Sequence, residues 1–134
     1  EEYNAHTDPS GRYFTLYKRW HLIGLEVGVS VASVALRHEP TGVATGWHAD
    51  VVATAKRDLQ VGDMLDGEGG YTVWGKLLPA ETSRRIGGLP LGLAHDVRVV
   101  RPVKQGHSLS WDDVAMNTDT RAYRLRREME TAFK

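Results

Sequence analysis

The most apolar stretch of the chain is residues 21–36, HLIGLEVGVSVASVAL, and its hydrophobic period is ambiguous. Val27, Val29 and Val31 alternate as on a strand. Leu22, Leu25, Val29, Ala32 and Leu36 recur at helical spacing, as do Val27, Val31 and Val34. Its length, with no turn signal after Gly28, predicts a helix from about Glu26 to Arg37. Gly28, Ser30, Ala32, Ser33 and Ala35 would let that helix approach a neighbour closely. Left alone it would expose a costly apolar side, so it is expected to pack on another domain or subunit.

Residues 52–73, VATAKRDLQVGDMLDGEGGYTV, alternate differently. They read as a strand, a tight turn, a second strand and a glycine-rich loop into a third strand. Part of this unit recurs downstream. The shift that carries Arg57 onto Arg101 also carries Leu59 onto Val103, Gly62 onto Gly106 and Leu65 onto Leu109. A glycine three residues after an inward aliphatic suits a turn that needs positive φ, and the next leucine returns to the core. Two copies in one small domain predict a pseudo-twofold β unit.

The remaining elements follow from caps and breakers. Residues 1–12 are a polar leading segment with a turn at Asp8-Pro9-Ser10-Gly11. Residues 13–20, YFTLYKRW, suggest a short strand that buries Phe14 and Leu16. Residues 38–46 form a loop around Pro40 and Gly42. A single helical turn is expected from near Pro79 to Gly87-Gly88. Residues 89–93 turn into a strand over 97–103. Ser110 caps one helical turn. Residues 118–133 predict a terminal helix with an apolar stripe of Ala122, Leu125, Met129 and Ala132, Phe133 lying beside it. Arg121, Arg124, Arg126 and Arg127 surround the stripe as a solvated face. The fold class expected is mainly β with peripheral helices.

Composition narrows the functions available. The 134 residues suit one domain of moderate size, with 41% hydrophobic and 25% charged positions. Seventeen basic residues balance seventeen acidic ones, so net charge gives no case for nucleic acid or an anionic membrane. The chain has no cysteine, which excludes disulfides, thiolate catalysis and cysteine-ligated metals. Neither a long apolar run nor a basic-then-apolar leader is seen. The first residue is Glu1, and the expectation is a piece of a longer protein.

Candidate chemistry is sparse. Gly67-Glu68-Gly69-Gly70 follows no strand-to-helix pattern and carries a glutamate, so it reads as a tight connection and not a phosphate cradle. The six histidines, at 6, 21, 38, 48, 95 and 107, show no metal-ligand spacing. His48 and Asp50 alone do not make a zinc site. No nucleophile elbow is present, and Ser30 and Ser33 suit bonds to backbone carbonyls. No catalytic residue is assigned. One constellation stands apart: Tyr17, Arg19, His21 and Glu26 at the mouth of the apolar helix. Arg19 suits an oxyanion, and an imidazole exchanges protons near neutral pH. The residues fit two readings, a ligand pocket or caps that order the helix start.

The β unit KRDLQVGDMLDGEGGYTVWG, the stretch PLGLAHDVRVVRPVKQGHSLSWDDV and the terminal RLRREME helix resemble a SAF domain, the antifreeze-like β-clip module. With YFTLYKRWHLIGLEVGVSVASVAL ahead of it, the chain resembles the C-terminal region of NAD(P)-dependent oxidoreductases. These are related to homoserine dehydrogenase and include deoxyxylulose-phosphate-reductoisomerase-like enzymes. The resemblance implies three parts: residues 1–45 from the preceding domain, a β-clip over 46–116, and a helix over 117–134. It implies a cytoplasmic parent whose Rossmann domain binds NAD(P), with this region positioning substrate or building a homo-oligomer. It assigns no cofactor residue here, because the positions that would carry them are not in the chain. A small polar or phosphorylated substrate would meet Arg19, His21 and Glu26.

Two other readings stand beside it. One is a stand-alone carbohydrate or sugar-acid binding module, as in SAF-like domains of sialic acid synthases, with Trp47, Trp74 and Trp111 as the platform. The other is an assembly module like those of flagellar and pilus proteins. Ice binding is disfavoured, because charges interrupt the strands.

Overall fold

The computed structural model describes residues 6–15, 17, 19–20 and 22–133. The chain divides into two units, Glu1–Val43 and Ala44–Lys134.

In the first unit, β1 (His6–Thr7) pairs antiparallel with β2 (Phe14–Thr15). The Asp8 carboxylate closes the turn between them by accepting from the backbone N–H groups of Ser10 and Tyr13. Burial of Phe14 is not observed: its side chain is 67% exposed, because a two-residue hairpin offers no second layer to cover it. Leu16 lies outside the described residues. Helix α1 (Ile23–Ala32) begins earlier than the apolar spacing predicts and passes into a wider turn at Ser33–Arg37. His38, at φ 56°, ends it in the left-handed region. No residue of α1 is buried.

The second unit is mixed, and its core comes from antiparallel strands and the loops between them. β3 (Ala49–Ala55) pairs with β5 (Val73–Pro79) along its whole length, from Ala49 opposite Pro79 to Ala55 opposite Val73. β4 (Met64–Asp66), β6 (His95–Val99) and β7 (Val114–Ala115) form a second antiparallel sheet in the order β4-β6-β7. Helix α2 (Ala80–Ile86) starts after Pro79 and stops at Gly87, φ 60°, as the breakers predict. A short turn at Trp111–Asp113 follows Ser110, whose N–H and hydroxyl both donate to the Asp113 carboxylate at 2.7 Å. Helix α3 (Arg121–Ala132) begins at Thr120, whose hydroxyl accepts from the Tyr123 N–H. The core contains Leu59, Leu65, Val73, Leu89, Val99 and Leu109. Helix α2 buries Ala80 and Ser83, and no described residue of α3 is buried.

The repeated unit is a real symmetry. Leu59 and Val103 exchange both backbone hydrogen bonds, at 2.8 and 3.1 Å. The Gly62 N–H reaches the Val99 carbonyl at 2.9 Å, and the Gly106 N–H reaches the Ala55 carbonyl at 2.8 Å. The return bonds run from Val99 N–H to the Asp63 carbonyl and from Ala55 N–H to the His107 carbonyl. Gly62 and Gly106 both have positive φ, 96° and 80°, where a Cβ would be strained. Leu65 and Leu109 then both return to the core, at most 1% exposed. The predicted strand over 97–103 stops at Val99, because the chain leaves the sheet to meet Leu59 through Val103.

Candidate functional site

The residues singled out at the mouth of α1 are placed as follows. Tyr17 is 84% exposed. The Arg19 guanidinium lies over the Trp20 ring, 5.1 Å from its centroid. Glu26, in the first turn of α1, accepts from the Leu22 N–H at 3.2 Å, the capping role that an acidic residue suits there. His21 lies outside the described residues. Further along this unit, Ser33 donates to the Glu39 carbonyl at 3.1 Å, and the Ser30 and Thr41 hydroxyls meet at 3.4 Å.

The densest polar constellation lies in the second unit and joins β3, α2 and α3. Asp50 on β3 is buried and receives a bidentate pair from Arg126 on α3, at 3.0 and 2.5 Å. Ser83 on α2, fully buried, donates to the same carboxylate at 2.5 Å. Arg126 also donates through Nε to Glu130 at 2.8 Å and lies over the Trp47 ring, 4.8 Å from its centroid. Burial pushes the Asp50 carboxyl up, but the Arg126 and Ser83 hydrogen bonds outweigh it and hold the acid below its ordinary range. Burial pushes Arg126 down, and its bonds to Asp50 and Glu130 more than restore it, so it stays charged.

Beside this network is a cavity of about 640 Å³. Its walls are the end of α2, the Gly87-Gly88 stop, Trp111 and the inner side of α3. Arg127 bridges it to the network, donating to Glu130 at 2.6 Å with its guanidinium 5.3 Å from the Trp111 ring centroid. Tyr123 packs edge-on against Trp111 at 5.5 Å.

Sequence reasoning missed this constellation. It treated Asp50 only as a possible companion of His48, and it placed Arg126 on a solvated face. That second placement is corrected: the Arg126 side chain is 11% exposed. The inward side of α3 carries Tyr123, Arg126, Met129 and Glu130, while Leu125 of the predicted stripe is 52% exposed. One available signal was the Arg126 and Glu130 pair, spaced four apart on a helix.

The Gly67-Glu68-Gly69-Gly70 loop is a tight connection. It wraps the Asp66 carboxylate, which accepts from the N–H groups of Tyr71 and Thr72 and from the Thr72 hydroxyl. Burial works against ionisation there, but these bonds lower Asp66 to about 2. Lys56 donates to the Gly70 carbonyl.

Among the described residues, no group of three or more histidines, aspartates or glutamates could hold a metal ion. No helix among them is long and apolar enough to cross a membrane. No protein-family model matches the chain, and no curated protein matches it in sequence.

Proposed function

We propose that the chain is an auxiliary SAF-type β-clip domain of an NAD(P)-dependent oxidoreductase related to homoserine dehydrogenase. It is not catalytic alone. It positions substrate or builds a homo-oligomer beside a Rossmann domain that transfers hydride in the cytoplasm. The observation that carries this reading is α1. Its ten residues, IGLEVGVSVA, include one charge, and none is buried. A helix this short is marginal in water by itself, and one apolar on all sides belongs inside a larger assembly. A neighbouring domain or subunit supplies the cover. The paired turns at Gly62 and Gly106 support the β-clip class, since they give one small unit a pseudo-twofold pair of loops. On this reading Tyr17, Arg19, His21 and Glu26 are the candidate substrate-binding residues, with Arg19 taking the anionic group.

The test is the natural reading frame. An open frame running through Glu1 and encoding a strand, a GxGxxG turn and a helix is expected. The full gene product should then oxidise or reduce a nicotinamide cofactor, and residues 1–134 alone should not. A start codon or secretion signal immediately before Glu1 overturns the proposal.

A further inference from the structure

We propose that the cavity between α2, Trp111 and α3 is a binding site for the oxyanion group of a small organic phosphate or dicarboxylate. The inference goes beyond the oxidoreductase reading and does not depend on it. It begins with the charges around the cavity. Its walls carry three arginines, Arg84, Arg85 and Arg127, and two carboxylates, Asp112 and Glu130. Both carboxylates are engaged. Glu130 accepts from Arg126 and Arg127, and Asp112 lies 3.6 Å from Arg101. Asp50 balances Arg126. Arg84 and Arg85 therefore have no carboxylate partner among the described residues. Arg84 makes one long bond, 3.5 Å, to the Phe133 carbonyl.

Cations on the last turn of a helix are favoured by its dipole, but apart from that one long bond their planar N–H forks are not taken up by it. Two such forks beside one cavity present a doubly charged oxyanion with bidentate donors. Trp111 supplies a flat wall for the ligand's body. Its Cδ1, next to the indole N–H, would lie 3.9 Å from a Cβ placed on Gly87. A cavity of about 640 Å³ holds a small metabolite with room to spare.

The test is a titration of the 134-residue chain with inorganic phosphate, followed by amide and indole NMR at fixed ionic strength set with chloride. Saturable shifts are expected at Gly87, Gly88 and Trp111. The Arg84→Ala/Arg85→Ala double variant should bind at least tenfold more weakly. Lys76→Ala/Arg98→Ala changes net charge equally, at exposed positions outside the cavity lining, and should stay within twofold. Arg85→Gln, which keeps the side chain's stem, should weaken binding in the same direction if the alanine pair fails to fold. Malonate in place of phosphate separates the two head groups, since the tighter binder identifies the class. Shifts reproduced by chloride, equal weakening by both double variants, or no titration by either anion would overturn the site.

Discussion

At the scale of single residues, Asp66 shows how a short loop is held. Its carboxylate gathers two backbone N–H groups and a hydroxyl, and Gly70 must lack a side chain because a Cβ there would fall on that carboxylate. The glycine run made the tight connection legible in the sequence. The carboxylate at its centre was not, because its partners are fixed by the turn's path and not by any spacing rule. The acid is lowered to about 2 in the fold, against about 3.9 unfolded. A depressed carboxyl stabilises fully above its unfolded value, and that contribution is lost as pH falls through about 4 toward 2. Asp66→Asn should therefore lower the urea midpoint by a constant amount above pH 5. The gap to the parent chain should narrow as the parent's Asp66 protonates. A gap independent of pH down to 2 would mean that the ionised carboxylate is not what the loop depends on.

At the scale of elements, caps and breakers located α2 and α3, whereas hydrophobic pattern misjudged which side of α3 faces inward. Ala122, Leu125 and Ala132 offered a stripe by spacing, yet they are exposed, and α3 is fastened by a guanidinium. A polar anchor of this kind leaves no hydrophobic signature, because its partner, Asp50, lies on a strand far away in the chain. The pair makes a sharp energetic prediction. Arg126→Ala leaves the Asp50 carboxylate buried with Ser83 as its remaining side-chain partner, and breaking such a pair costs about 3–5 kcal/mol. Asp50→Ala should cost less, since Arg126 keeps Glu130. The double variant should be far more stable than the sum of the two losses implies, because it buries no lone charge. Urea unfolding of the four proteins gives the coupling directly. Additive losses would show that the two side chains act separately.

At the scale of the molecule, the sequence repeat was legible because symmetry needs the same residue types at the same offsets. Two glycines at positive φ and two inward leucines are enough to betray it. The boundary between the units is less visible, since the apolar helix that looks like core contributes nothing to one. Every residue of the core cluster falls between Ala53 and Val114. Stability should therefore reside in residues 44–134. That fragment, made alone, should unfold cooperatively with the same urea midpoint and the same slope as the whole chain, since residues 1–43 take no part in the transition. Removing residues 1–43 also removes Leu25, Val29, Val31 and Leu36, all more than 60% exposed. Sedimentation should then find the fragment monomeric at concentrations where the full chain associates through its uncovered helix. A fragment with a lower midpoint or a broadened transition would place stabilising contacts in residues 1–43. The exposed helix would then be serving its own chain, and the case for an external neighbour would lose its main support.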